Sequence, residues 1–236
     1  MRNASVPAML TLLTMLLPGA AMAAGKLTVT QQNFYALNST SITGNAYARV
    51  ENTGDAPVQY NAGLFEVYDA SGDTMASTSR LNVYAKYLLP GEHGYVKVSS
   101  KLEDADTYKD AADYALTVSG KGSVDSETKY YPSTGEYQTD VEVSDYNKSD
   151  YLVATITNNT DETVYEIEVV MALLDAQGNI LDIESMALTN SIGIDPGCSI
   201  KVRKTVSDDM TDAFERAGLI PASVDTLAYT YEDTDD

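Results

Sequence analysis

The sequence predicts an all-β chain made of two tandem β-sandwich domains, with one short helix in the second. Three observations predict it. Turn-forming residues recur at a constant offset of 106 residues, the segments between them alternate apolar and polar side chains, and strong helix signals are confined to one stretch. The matched pairs are Asn52 with Asn158, Asp55 with Asp161, Val58 with Val164, Asp69 with Asp175, Gly72 with Gly178, and Pro90-Gly91 with Pro196-Gly197. Scattered identities arise by chance; the same Asn, Asp, Gly and Pro-Gly punctuation at one offset does not.

In chain order, residues 1–23 read as a signal peptide. Arg2 is followed by an apolar run from Met9 to Leu17, a Pro18-Gly19 break, and small residues around Ala21-Met22-Ala23 that suit cleavage before Ala24. The run is about half of the ~20 residues that span a bilayer. No Cys follows the cleavage point, so a lipid anchor is not expected. The expected location is secreted, or the extracellular face of the cell envelope, with no membrane span.

The first domain is expected over 24–120 and the second over 121–236. Ala48 to Glu51 alternates inward and outward and stops at Asn52-Thr53-Gly54. Asp69-Ala70-Ser71-Gly72 reads as a hairpin turn, since Asp can bond its own following backbone and Gly accepts positive φ. Pro90-Gly91 marks a loop before a strand over Tyr95–Val98; a weak helix over Tyr108–Asp113 and a strand over Tyr114–Val118 close the copy. Ser119-Gly120-Lys121-Gly122-Ser123 suits a linker.

The second copy opens on a strand region over Lys129–Val143. Ile167, Val169, Met171 and Leu173 form one face of a strand, with Glu166 and Glu168 beginning the other. Asp175-Ala176-Gln177-Gly178 repeats the hairpin, and Pro196-Gly197 repeats the loop before Ile200–Val202. A helix is expected over Asp208–Ala217: Ser207 can cap it, Asp208 and Asp209 suit its positive end, Arg216 its negative end, and Gly218 its stop. A strand over Thr226–Tyr231 precedes a solvated acidic tail over 232–236. The number of short strands per copy fits an immunoglobulin-like sandwich.

Phe65-Glu66-Val67-Tyr68-Asp69 resembles the F-x-[LV]-Y-D signature of the FxLYD family of bacterial extracellular domains, with Asn52 and Pro90-Gly91 in the flanking places. The second copy, Met171-Ala172-Leu173-Leu174-Asp175, keeps only the Asp and the apolar character. The resemblance covers roughly 44–118 and, more loosely, 150–231. It implies an immunoglobulin-like sandwich in a secreted or envelope protein, and it brings no catalytic residues.

Charge separates the copies. Residues 24–121 hold 8 Lys+Arg and 11 Asp+Glu, a net of −3, whereas residues 122–236 hold 6 and 24, a net of −18. Such a surface repels phosphate backbones, which argues against nucleic acid as a partner. A cationic partner for the second half remains open.

No residue set stands out for catalysis, a cofactor or a metal. His93 is the only histidine, expected as an exposed turn residue, and one His without a Cys cluster cannot build the usual zinc set. Cys198, the only cysteine, excludes an intrachain disulfide but allows a disulfide-linked dimer. Two acidic runs, Asp69–Asp73 and Asp208–Asp212, could be read for calcium, but neither matches the EF-hand loop. The 17 tyrosines fit sheet surfaces, and a sugar-binding platform would need several, such as Tyr84, Tyr87 and Tyr95, on one exposed face. Sequons at Asn38, Asn147 and Asn158 carry little weight in a bacterial chain. The expected function is therefore a non-enzymatic interaction or spacer module with an unknown protein or cell-wall partner. The alternative is a small-ligand or cell-wall glycan binding protein that uses the groove between the two modules.

Overall fold

The computed structural model describes residues 24–38, 41–122, 124–144 and 147–233. The expected signal peptide and residues 234–236 of the tail lie outside the described residues. The fold is all-β. The first module contains β1 (Leu27–Asn38), β2 (Ile42–Asn52), β3 (Val58–Tyr68), β4 (Thr74–Thr78), β5 (Asn82–Tyr84), β6 (Tyr87–Leu88), β7 (His93–Lys101) and β8 (Asp113–Lys121). One antiparallel sheet runs β1-β2-β7-β5; in the other, β3 pairs with β4, β6 and β8. The second module contains β9 (Ser126–Tyr131), β10 (Ser133–Ser144), β11 (Asn147–Thr157), β12 (Glu168–Asp175), β13 (Ile180–Ala187), β14 (Ser199–Thr205), α1 (Asp208–Ala217) and β15 (Pro221–Asp233). Its sheets run β10-β11-β14 and β13-β12-β15-β9.

The repeated punctuation has one mechanism in both copies. Asn52 is fully buried; its Nδ2 donates to Ala56 O at 2.8 Å and Leu88 O at 3.0 Å, and its Oδ1 accepts from Gly54 N at 3.0 Å and Lys26 N at 3.2 Å. Asn158, equally buried, donates to Glu162 O and Ile194 O, both at 2.7 Å, and accepts from Thr160 N at 2.9 Å and Thr160 Oγ1 at 2.7 Å. Each amide thus pins the turn after its strand to the chain just before the Pro-Gly loop, meeting backbone groups that burial would otherwise leave unpaired. Asp69 and Asp175 do the same for the hairpins: Oδ1 of each accepts two turn amides, at 2.8–2.9 Å. Gly72 and Gly178, at φ 87° and 81°, hold the left-handed position that these turns need.

The core of the first module lies between its sheets, around Ala46, Ala48, Val50, Phe65, Val67, Val96 and Val98. The intervening residues Tyr35, Leu37, Tyr47 and Tyr95 belong instead to a second cluster, continuous with the core of the second module. Because strand side chains alternate faces, the β1-β2-β7 sheet is covered on both sides. The two modules share a core. In β12, Val169, Met171 and Leu173 are fully buried as the alternation expects, but so are Val170 and Ala172 on the other face.

The expected linker differs as well. Ser119, Gly120 and Lys121 continue β8 and pair with β3, because Gly120 passes where a Cβ would strike Val58 Cγ2 at 2.4 Å. The weak helix contracts to a 3₁₀ turn over Tyr108–Asp110, capped by Thr107. The helix α1 keeps its expected bounds, with Ser207 accepting from Met210 N and Gly218 at φ 66°. It buries Met210, Ala213 and Phe214, a stripe at helical spacing. Glu232 and Asp233, expected in the tail, end β15.

Candidate binding site at the module junction

Two patches of contact fix the junction. In the first, Lys97 of β7 donates to Glu184 Oε1 at 2.7 Å and Ile183 O at 2.8 Å, with Asp182 Oδ1 at 3.5 Å. Burial works to lower the Lys97 ammonium, but the Asp182 and Glu184 charges outweigh it and raise it above its ordinary value. Tyr47 donates to Met210 Sδ at 3.5 Å, and Tyr35 meets the Phe214 ring edge-on at 5.8 Å. In the second patch, Lys86 N donates to Tyr231 OH at 3.1 Å and Thr128 Oγ1 to Tyr87 O at 2.6 Å. The Lys86 ammonium lies 4.9 and 5.1 Å from the Tyr87 and Tyr231 ring centres, within cation–π range.

Between these patches a polar cluster borders an open groove of about 460 Å³, lined by Gly91, Glu92 and His93 of one module and Tyr130, Tyr131, Ser133, Thr226, Leu227 and Ala228 of the other. His93 is not an exposed turn residue. It begins β7, its side chain is 22% exposed, its ring meets Tyr95 edge-on at 5.5 Å, and Nε2 stands 3.4 Å from Asp225 Oδ2. At that distance the ring nitrogen faces the Asp225 carboxylate, which lies slightly outside strict hydrogen-bond geometry. Tyr95 OH donates to the same Asp225 oxygen at 2.5 Å. Burial works to raise the Asp225 carboxyl, but His93, Tyr95 and the Thr226 amide outweigh it and hold it below the usual carboxylate range. The Tyr130 hydroxyl, also on the groove, is buried without a hydrogen-bond partner; burial, then the charge of Glu92, pushes it well above its ordinary value.

The groove can therefore offer polar groups from both modules. Ser133 Oγ on the groove donates to Thr226 O at 3.3 Å and accepts from Thr226 Oγ1 at 2.9 Å. Sequence reasoning found His93 but missed its partners, since Asp225 lies 132 residues away and no spacing rule links them.

Of the other singled-out residues only Tyr95 borders this groove, through Asp225 and His93. Tyr84, Tyr87 and Tyr95 do not form one exposed face: Tyr87 and Tyr95 are buried at the junction and Tyr84 is half-buried. Asp69 spends its carboxylate on turn amides, and Asp208 and Asp209 occupy the first turn of α1. Among the described residues no three His, Cys, Asp or Glu side chains gather around a point that could hold a metal. Cys198 is exposed and unpaired, in the loop before β14. No described helix is long and apolar enough to cross a membrane.

No family model matches the chain, and no curated protein is similar to it. Among solved structures it is similar to the C-terminal globular domain of an oligosaccharyltransferase from Pyrococcus abyssi, at 8% identity over 88% of this chain and a TM-score of 0.19. The match covers 48% of that chain, and a likeness this slight carries no argument.

Proposed function

We propose that this chain is a non-enzymatic binding protein, secreted or held at the outer face of a cell envelope, that seats a polyhydroxylated ligand of the cell-wall glycan type in the groove between its modules. Its relation to the FxLYD family is part of the same proposal, resting on Phe65 to Asp69. One observation carries the ligand reading. His93 and Glu92 of one module and Tyr130, Ser133 and Thr226 of the other line the same groove, and the Tyr130 hydroxyl beside it lies buried without a hydrogen-bond partner. Unpaired buried polar groups are costly, and a sugar hydroxyl can both donate to and accept from such atoms. The shared core favours this over a passive spacer, because a groove between fixed walls loses less freedom on binding.

The test is calorimetric titration of residues 24–236 with soluble peptidoglycan fragments and neutral oligosaccharides. Saturable heat is expected, weakened about tenfold by Tyr130→Phe at an unchanged melting temperature, the cost of one buried hydrogen bond. Absence of heat from every fragment overturns the proposal, and so does binding that ignores both Tyr130→Phe and His93→Gln.

A further inference from the structure

The two modules treat the same sheet edge differently. In the first, Asn52 N donates to Glu92 O, which turns the backbone groups of His93, Tyr95 and Lys97 away from β2; β5 covers that side, with Tyr84, Val83 and Asn82 opposite Tyr95, Val96 and Lys97. In the second, Asn158 N donates to Cys198 O and Val206 N to Asp150 O, so Ile200, Val202 and Lys204 bond β11. The outward groups then belong to Ser199, Lys201, Arg203 and Thr205. All four residues are exposed, and among the described residues no strand pairs with that edge. The chain over 188–190, where a strand like β5 would fall, forms no strand.

We infer that the outer edge of β14 is a strand-addition site for an extended acidic segment of a partner protein. An added strand would find backbone donors and acceptors at alternate positions. Its side chains would lie beside Lys201 and Arg203 on one face and Ile200 and Val202 on the other, so acidic residues alternating with apolar ones match the edge. Lys201, Arg203 and Lys204 are three of the six Lys and Arg after residue 121, gathered on one strand of a module that is otherwise acidic. Their present contacts hold them weakly: Lys201 reaches Glu136 at 3.4 Å with both side chains exposed, Lys204 stands 3.9 Å from a Glu184 oxygen whose carboxylate is already bonded to Lys97, and Arg203 lies over the Tyr151 ring. A second copy fits poorly, because β14 against β14 sets these cations against themselves. The negative charge of the remaining chain opposes an acidic partner at long range, but is screened beyond about 10 Å at 0.1 M salt.

The experiment titrates residues 24–236 with an end-blocked peptide alternating Glu and Val, followed by amide NMR and sedimentation at the same salt. The Lys201, Arg203 and Thr205 amides are expected to shift and to exchange more slowly. The peptide with Lys in place of Glu should bind at least about tenfold more weakly. Arg203→Gln should weaken binding by losing a charge, and Arg203→Pro further by losing an outward N–H, which a strand edge tolerates without unfolding. The Asn52→Ala variant, remote from β14, should bind unchanged. Equal binding of the two peptides, or no binding to the folded chain, overturns the inference. Sedimentation showing the edge filled by another copy overturns it as well.

Discussion

At matching positions the two modules carry Tyr95 and Lys201, and Lys97 and Arg203, yet the environments are opposite. Tyr95 is 1% exposed and Lys97 is sunk among carboxylates of the other module, whereas Lys201 and Arg203 lie in solvent. The asparagine pins and Asp-Gly hairpins, by contrast, are the same in both. Backbone-satisfying residues cannot change without leaving buried amides unpaired, so they repeat. Face and edge residues answer only to what covers them, so they diverge. In the first module the outer face of β7 meets a protein neighbour; in the second the equivalent face meets water.

The sharpest way to break this comparison is to strip the first module of its cation. Lys97→Met keeps the aliphatic stem but strands Asp182, whose side chain is 2% exposed, and should cost about 3–5 kcal/mol in denaturant unfolding. Adding Asp182→Leu should recover most of that loss. If Lys97→Met is neutral, the junction contributes little and the modules are independent in energy as well as in sequence.

Next in size, Asn52→Ala and Asn158→Ala should each cost about 2–3 kcal/mol, because each leaves buried carbonyls without a donor. Equal losses would confirm one device in two places; a twofold difference would show that the flanking loops have come to share the work.

The smallest effect tests the junction by pH. The Asp225 carboxyl is held below its usual range, so the folded chain binds fewer protons there than the unfolded one. Its contribution is complete above the ordinary carboxylate range and is lost as pH falls through the folded value. Asp225→Asn should therefore flatten the acid side of the melting-temperature profile. The difference should stay below about 1 kcal/mol, since the side chain is 37% exposed and solvent screens it.

What could be read in the sequence divides along the same line. Asn, Asp, Gly and Pro act on backbone within a few residues, so the turns, the strand after each Pro-Gly loop and the bounds of α1 were legible. The contacts joining Lys97 to Glu184, Tyr95 to Asp225 and Tyr47 to Met210 span separations of 87 to 163 residues, and no period or spacing encodes them. For that reason His93 reads as a surface turn residue, and Ser119 to Lys121 as a flexible joint rather than the end of β8. The bare edge of β14 was equally hidden, because a three-residue strand such as Asn82–Tyr84 is too short to show a period, even though its Val and Tyr favour a strand more than Leu188-Thr189-Asn190 does.

The core shared between modules separates the unit of inheritance from the unit of folding. Cutting the chain near residue 121 would expose Tyr47 and Tyr95 on one fragment and, on the other, open to water the Asp182 face that Lys97 covers. Evolution has less room here than in a string of beads: neither half can be lost, reordered or copied again without rebuilding a surface that the other half completes.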